Sequence, residues 1–159
     1  MNQNHKMKIR KFIIIQGIPG SGKSFYSREL LSNMGSDTTV RVNMDDIRNM
    51  LGDYWVPKRE RLVKRIMNNT IIESIFSGYN IIIDNTNLND KTLNEFESLV
   101  KECNANDLIE CKYEIEYRLI NTPLNICIER DLKRENPVGK KVIEDFYQKY
   151  KHKLNNEKT

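Results

Sequence analysis

Lys11-Phe12-Ile13-Ile14-Ile15-Gln16 runs directly into Gly17-Ile18-Pro19-Gly20-Ser21-Gly22-Lys23-Ser24, and this junction decides the fold. The first six residues form a short, isoleucine-rich apolar run, the pattern of a strand buried on both faces. The next eight match G-x-x-x-x-G-K-[ST] in full. Lys23 to Met34 then reads as a helix, stopped by Gly35. Glycines let successive backbone N–H groups turn inward with no side chain in the way. The helix behind them adds the partial positive charge of its N-terminus. Gly17, Pro19, Gly20, Ser21, Gly22, Lys23 and Ser24 are therefore expected to hold the phosphates of ATP. Lys23 would reach the β- and γ-phosphates, and Ser24 would offer its hydroxyl to Mg²⁺. A chance glycine turn is the plain alternative, and the complete match between strand and helix leaves it little room.

Working outward, apolar runs alternate with helical stretches. Thr39 to Asn43 is a short strand, and Asp45 to Leu51 a helical turn closed by Gly52. Pro57 to Ser77 reads as a long helix with proline in its first turn and Gly78 beyond its end. Asn80 to Asp84 is a second isoleucine-rich strand. Asn89 to Cys103 carries Leu93, Phe96, Leu99 and Val100 on one helical face. Lys112 to Leu119 is another strand. Thr122-Pro123 looks like a cap and first-turn proline for a helix reaching about Arg134, and Lys141 to about Leu154 is the last helix. Alternating strands and helices imply βαβ units. The expected fold is α/β, a three-layer P-loop NTPase sandwich whose parallel sheet of four to five strands has helices on both faces. A single domain spans 1–159, with its core over about 11–150 and flexible ends at 1–10 and 155–159.

The composition narrows the function classes. No apolar run approaches the ~18 residues of a membrane helix, so no membrane partner is expected. Cys103, Cys111 and Cys127 form no Cys-x-x-Cys pair, and His5 and His152 are the only histidines. That argues against a zinc site and for a reducing compartment: cytoplasm, or host cytoplasm for a viral protein. A formal charge of +4 fits a polyanionic partner, though weakly, since lysines at the two ends supply much of it.

Three further stretches carry candidate chemistry. Val42-Asn43-Met44-Asp45-Asp46-Ile47-Arg48 follows the second strand, at the sheet edge where ligands lie in open parallel sheets. A carboxylate there can take the proton of an attacking hydroxyl. Arg48, three residues after Asp45, shares its face and can grip an acceptor phosphate bidentately. The bland option is that Asp45 or Asp46 only caps a short helix. Asp84 ends the next strand, where an acidic residue commonly holds magnesium, and Asn85, Thr86 and Asn87 could bond the acceptor. An Asx turn leading into the helix would explain the same residues. Arg130 and Arg134, four apart on the expected helix, precede a Pro-Gly loop and suit a lid that offers arginine to the transferring phosphoryl group. Neighbouring Glu129, Asp131, Lys133 and Glu135 equally describe a solvated charged face.

Taken together, the phosphate loop, Asn43-Met44-Asp45-Asp46-Ile47-Arg48, Asp84-Asn85-Thr86-Asn87-Leu88-Asn89 and Arg130 to Arg134 resemble, in order, the kinase domain of bacteriophage-type polynucleotide 5′-kinases. The resemblance runs from about Lys11 to Tyr150. It implies transfer of the ATP γ-phosphate to a 5′-hydroxyl end of DNA or RNA, with ATP and Mg²⁺ as cofactors and single-stranded or end-exposed nucleic acid as partner. It implies Asp45 as general base, Arg48 on the acceptor's 3′-phosphate, and Arg134 as the lid arginine. The strand-three role falls to either Asp84 or Asn85. No Asp-x-Asp pair occurs and the chain is short, so neither phosphatase nor ligase activity is expected. Oligomeric state stays open, a homo-oligomer included.

Other classes remain. A small-molecule, nucleotide or toxin-type P-loop kinase would keep Lys23 and Asp45 and use Arg48 on a different acceptor. A nucleoside monophosphate kinase needs no base, so Asp45 counts against it. A GTPase would carry Asn-Lys-x-Asp, which is missing. A non-catalytic nucleotide-binding module would have no use for Asp45 facing Arg134.

Overall fold

The computed structural model describes residues 7–155. Four parallel strands form one sheet in the order β2-β3-β1-β4: β1 Lys8–Gln16, β2 Thr39–Val42, β3 Asn80–Asp84 and β4 Cys111–Leu119. The helices are α1 Lys23–Met34, α2 Met44–Met50, α3 Glu60–Phe76, α4 Asp90–Ala105, α5 Leu124–Leu132 and α6 Lys140–Asn155. The expected three-layer P-loop sandwich is the observed architecture. The chain moves from β1 outward to β2, then returns past β3 to β4 on the far side of β1. The reversal leaves a crevice at the carboxyl ends of β1 and β3, where the phosphate loop sits.

Burial follows the two-residue repeat of the strands. Phe12, Ile14, Ile81 and Ile83 face α3 and α4, packing with Val63, Met67, Ile71, Ile75, Phe96 and Val100. The Phe12 and Phe96 rings lie 5.7 Å apart in a tilted pair. Ile13, Ile15 and Ile82 face α1, against Tyr26, Leu30, Leu31 and Met34. A third cluster joins the phosphate loop to α5 and α6 through Ile18, Leu88, Cys127, Ile143, Tyr150 and Leu154.

Several boundaries differ from the sequence expectation. β1 begins at Lys8, because Lys8, Ile9 and Arg10 pair with Cys111, Lys112 and Tyr113 of β4. Residues 8–10 are therefore strand rather than a flexible end, while 1–6 and 156–159 lie outside the described residues. The long helix after Pro57 opens with a 3-10 turn, Pro57–Arg59, before α3. Helix α5 ends at Leu132, so Arg134 is not on it. Thr122 does not cap α5 either. Its hydroxyl donates to the Ser21 carbonyl at 2.6 Å, and the Pro123 carbonyl accepts from Ile126 and Cys127 in the first turn of α5.

Asp131 explains why the chain turns where it does after α5. It is buried, and its two carboxylate oxygens accept from the backbone N–H groups of Val138 (3.1 Å) and Gly139 (2.9 Å) at the start of α6. Asp131 thus ties the end of one lid helix to the beginning of the next. Replacing it by alanine leaves those donors without an acceptor, and about 1–3 kcal/mol of stability should be lost. Urea denaturation of Asp131→Ala beside the parent protein measures this; an unchanged midpoint would remove Asp131 from that role.

Candidate active site

Loop geometry follows from the glycines where the backbone demands them. Gly20 and Gly22 have φ of 80° and 97°, in the left-handed region. A Cβ on Gly20 would lie 2.2 Å from the Cys127 carbonyl oxygen, so the loop can approach α5 only as glycine. Gly22 caps α1, whose first turn carries no acidic residue. Its N-terminal charge is therefore not neutralised locally. From the α5 side, Thr122 and Arg130 both donate to the Ser21 carbonyl, Arg130 at 3.1 Å. From the β3 side, the Gly17 N–H donates to the Thr86 carbonyl at 3.1 Å. The loop is braced at both ends before any phosphate arrives.

Lys23 folds back and donates to the Ile18 carbonyl at 2.9 Å. Desolvation inside the loop lowers its ammonium to about 8, opposed first by the nearby Asp84 charge, while the charges of Arg134 and Asp45 also reach it. Lys23, Asp45 and Arg134 therefore lie near enough for their charges to act on one another.

Asp84 sits fully buried on the α1 face of the sheet, level with Ile15. Its Oδ2 accepts from the Ser27 hydroxyl at 2.7 Å and from Arg41 Nε at 2.9 Å. Among the described residues, its Oδ1 is buried with no hydrogen-bond partner. A buried carboxylate oxygen left unpaired is costly unless something binds there. Ser24, at the start of the same helix, makes no side-chain hydrogen bond among the described residues, and Ser27 links the two by lying near the Ser24 carbonyl (3.2 Å). One hydroxyl and one free carboxylate oxygen, both hard donors, fit Mg²⁺ completed by water and phosphate oxygens. Ser24 and Asp84 would hold it.

The acceptor side is built on α2. Asn43, not an aspartate, caps this helix: its side chain accepts from the Asp46 N–H at 2.9 Å. Asp46 instead pairs with Arg41. Asp45 is thus free of capping duty, and its side chain is 37% exposed. Its Oδ1 accepts from Arg48 at 2.6 Å and from the Tyr54 hydroxyl at 2.9 Å. Its Oδ2 has only Arg134, at 3.7 Å. Burial, then the Asp45 charge, raises the Tyr54 phenol above its usual value, so it stays a donor.

Arg48 departs from the sequence expectation in one respect. Its side-on fork, Nε and one terminal nitrogen, is already bidentate to Glu60 at 2.9 and 2.7 Å. Hydrogen bonds to Glu60 and Asp45 raise the guanidinium further, and the Arg48 bond holds the Glu60 carboxyl below its usual range. Of the five N–H groups of an arginine, two remain for an acceptor.

The remaining expected residues divide. Arg130 braces the phosphate loop and Arg134 reaches Asp45, so the pair do not share a helix face. Arg134 also approaches Asp131, at 3.8 Å. Asn85 accepts from the Met44 N–H at 3.0 Å and turns its NH₂ toward the Met67 sulfur, which places it behind the cleft. Asn87 is buried at φ 48°, its amide donating to the carbonyls of Ile15 (2.7 Å) and Ile83 (3.1 Å). It pins the ends of β1 and β3 together. Thr86 contributes its carbonyl to Gly17 and keeps its side chain half-exposed.

Sequence reasoning missed Ser27, Arg41, Tyr54 and Glu60. Arg41 left only a weak signal, a charge inside a strand of a parallel sheet whose strands are usually apolar on both faces; the structure sets it in register with Ile82. Glu60 and Tyr54 had no local signal, because their partners lie 12 and 9 residues away across a turn.

The chain is 26% identical to an L-seryl-tRNA(Sec) kinase of Methanococcus maripaludis, over 87% of this chain and 51% of that protein. It is 26% identical to a protein of Autographa californica nuclear polyhedrosis virus, provisionally named a bifunctional polynucleotide kinase/RNA ligase, over 92% of this chain and 22% of that one. The chain thus spans about half, or less, of the curated relatives it matches. In structure it superposes on a chain of a Pnkp1/Rnl/Hen1 RNA repair complex with a TM-score of 0.75 and 25% identity, covering 100% of this chain and 49% of the other. A gluconokinase from Sinorhizobium meliloti, at 12% identity and TM-score 0.53 over 89% of this chain and 75% of that one, shares the fold alone. The resemblance to polynucleotide-kinase domains read from four stretches of sequence is matched by these relatives. The family model described as AAA domain matches residues 12–153, and the chain belongs to that family.

Proposed function

We propose that the chain is an ATP-dependent polynucleotide 5′-hydroxyl kinase, acting on 5′-hydroxyl ends of single-stranded or end-exposed DNA or RNA. One observation carries the reading. Asp45 has one oxygen held by Arg48 and Tyr54 and the other 3.7 Å from Arg134. That arrangement orients a carboxylate while leaving it an oxygen that can take a proton. The viral relative named as a polynucleotide kinase supports the nucleic-acid acceptor.

In this reading the loop amides and the N-terminus of α1 bind the triphosphate of ATP. Lys23 leaves the Ile18 carbonyl for the β- and γ-phosphates. Ser24 and Asp84 would hold Mg²⁺, which would supply neutralisation of the phosphate charge. Asp45 takes the proton from the 5′-hydroxyl as it attacks in line, and Arg134 faces the charge spreading over the transferring group. Arg48 directs its two free N–H groups to the phosphate 3′ of the attacking nucleotide. The second reading, a hydroxyl on another acceptor, rests on the seryl-tRNA kinase relative. Offering labelled ATP with 5′-hydroxyl DNA, 5′-hydroxyl RNA, mononucleotides, sugars and seryl-tRNA separates the two. Label on oligonucleotide ends is the expected result, and label confined to the other acceptors overturns the proposal.

Three outcomes follow for this site. Asp45→Asn should lower kcat by about 10²–10⁴-fold, the share of a general base, and leave ATP binding intact; rapid-quench kinetics with parallel calorimetry reads both. Arg48→Ala should weaken acceptors bearing a 3′-phosphate by roughly 10–100-fold, the scale of charged hydrogen bonds, and nucleosides lacking that phosphate much less. Steady-state KM values for the two acceptor types decide it, and equal losses would take Arg48 off the phosphate.

Burial lowers the Lys23 ammonium to about 8, and triphosphate charge favours its protonated form. Above that pH the free protein has lost a proton that the complex keeps, so binding takes up a proton and affinity falls as pH rises. At about pH 9 calorimetry in two buffers of different ionisation enthalpy should show uptake approaching one proton, absent in Lys23→Met.

A further inference from the structure

The segment between α2 and the 3-10 turn at Pro57 is short, yet it is held more firmly than a surface loop requires. Arg59 donates to the Leu51 carbonyl at 2.7 Å, to the Arg48 carbonyl at 3.4 Å, and to the Asp53 carbonyl. Tyr54 is fixed by its bond to Asp45. On this rigid mount stands Trp55, the chain's single tryptophan, with 59% of its surface exposed. Its ring is not without orientation: the Arg48 guanidinium carbon lies over it, 5.8 Å from the centroid, and lies 6.0 Å from that of Tyr54. A large aromatic surface kept in water on a preorganised loop, beside an arginine with free N–H groups and a carboxylate, has the composition of a single-strand binding site. Such sites pair a cation for the backbone with a ring for the base.

From this placement, we infer that Trp55 is a stacking platform for a nucleobase within the first two nucleotides of the acceptor. The inference rests on the polynucleotide reading of the site and deepens it. Arg48 meets the phosphate between those nucleotides, so a base attached on either side of that phosphate comes within reach of the indole. Stacking is indifferent to base identity, since every base has a π-face, so the platform distinguishes ends that carry a base from sugars and other hydroxyl acceptors rather than one sequence from another.

Because Trp55 is the only tryptophan, its intrinsic fluorescence reports the contact without a label. Titration with a 5′-hydroxyl oligonucleotide should quench it, and an oligonucleotide abasic at both of the first two positions should not. Trp55→Ala should raise the acceptor KM by about 5–100-fold and affect kcat less, Trp55→Phe should restore most of it, and the penalty of the abasic oligonucleotide should vanish in Trp55→Ala. ATP affinity, measured by calorimetry in each variant, confirms that the protein is folded. Transfer to oligonucleotides with unchanged fluorescence, and an equal abasic penalty in parent and Trp55→Ala, overturns the platform alone. Absence of transfer to any oligonucleotide overturns the polynucleotide reading, and the platform with it.

Discussion

Asp84 is a carboxylate with no access to water at the end of a central strand, and a group in that position must be matched by donors or cations. Ser27 of α1 and Arg41 of β2 match one oxygen. These contacts join three elements that are far apart in the chain: β2, β3 and the helix that follows the phosphate loop. They set where α1 sits over the sheet, and so where Ser24 and the loop amides point. Among the described residues the other oxygen has no protein partner, and the Asp84 charge acts on Lys23.

The acceptor side repeats the same logic with shorter reach. Arg48 lies between two carboxylates, Asp45 and Glu60, and two aromatic rings. Glu60 is held by the fork of the arginine, so Asp45 needs to share only a single N–H with it and a phenol from Tyr54. Since Glu60 begins α3 and Arg48 lies in α2, their ion pair also ties these helices together. Orientation of Asp45 and packing of the fold come from the same few contacts. Arg134 also reaches Asp45, from a turn that Asp131 closes onto the start of α6.

Much of this was legible locally. The β1 isoleucines, Lys23 to Gly35 as a helix with its stop, and Asn80 to Asp84 as a strand are local patterns of burial and termination, and all three appear as expected. The errors fall where a distant partner overrode a local preference. Thr122 before Pro123 has the form of a cap, yet its hydroxyl turns to Ser21, 101 residues earlier. Arg130 and Arg134 have helical spacing, but the helix ends between them because Asp131 captures backbone N–H groups further on. Asn87 has the form of a polar loop residue and proves to be a buried clasp between two strands.

The sequence by itself determined the phosphate loop, the parallel sheet around it and the presence of a carboxylate and an arginine after β2. Those follow from glycine conformation, strand periodicity and helix termini, each a property of residues within a few positions of one another. Only the tertiary structure decided what each polar side chain faces. Whether Asp45 caps a helix or lines a cleft, whether Asp84 or Asn85 fronts the loop, and whether Trp55 is core or surface depends on partners brought close by chain crossover. Hydrogen bonds and charges act over a few ångströms of space, whatever the separation along the chain.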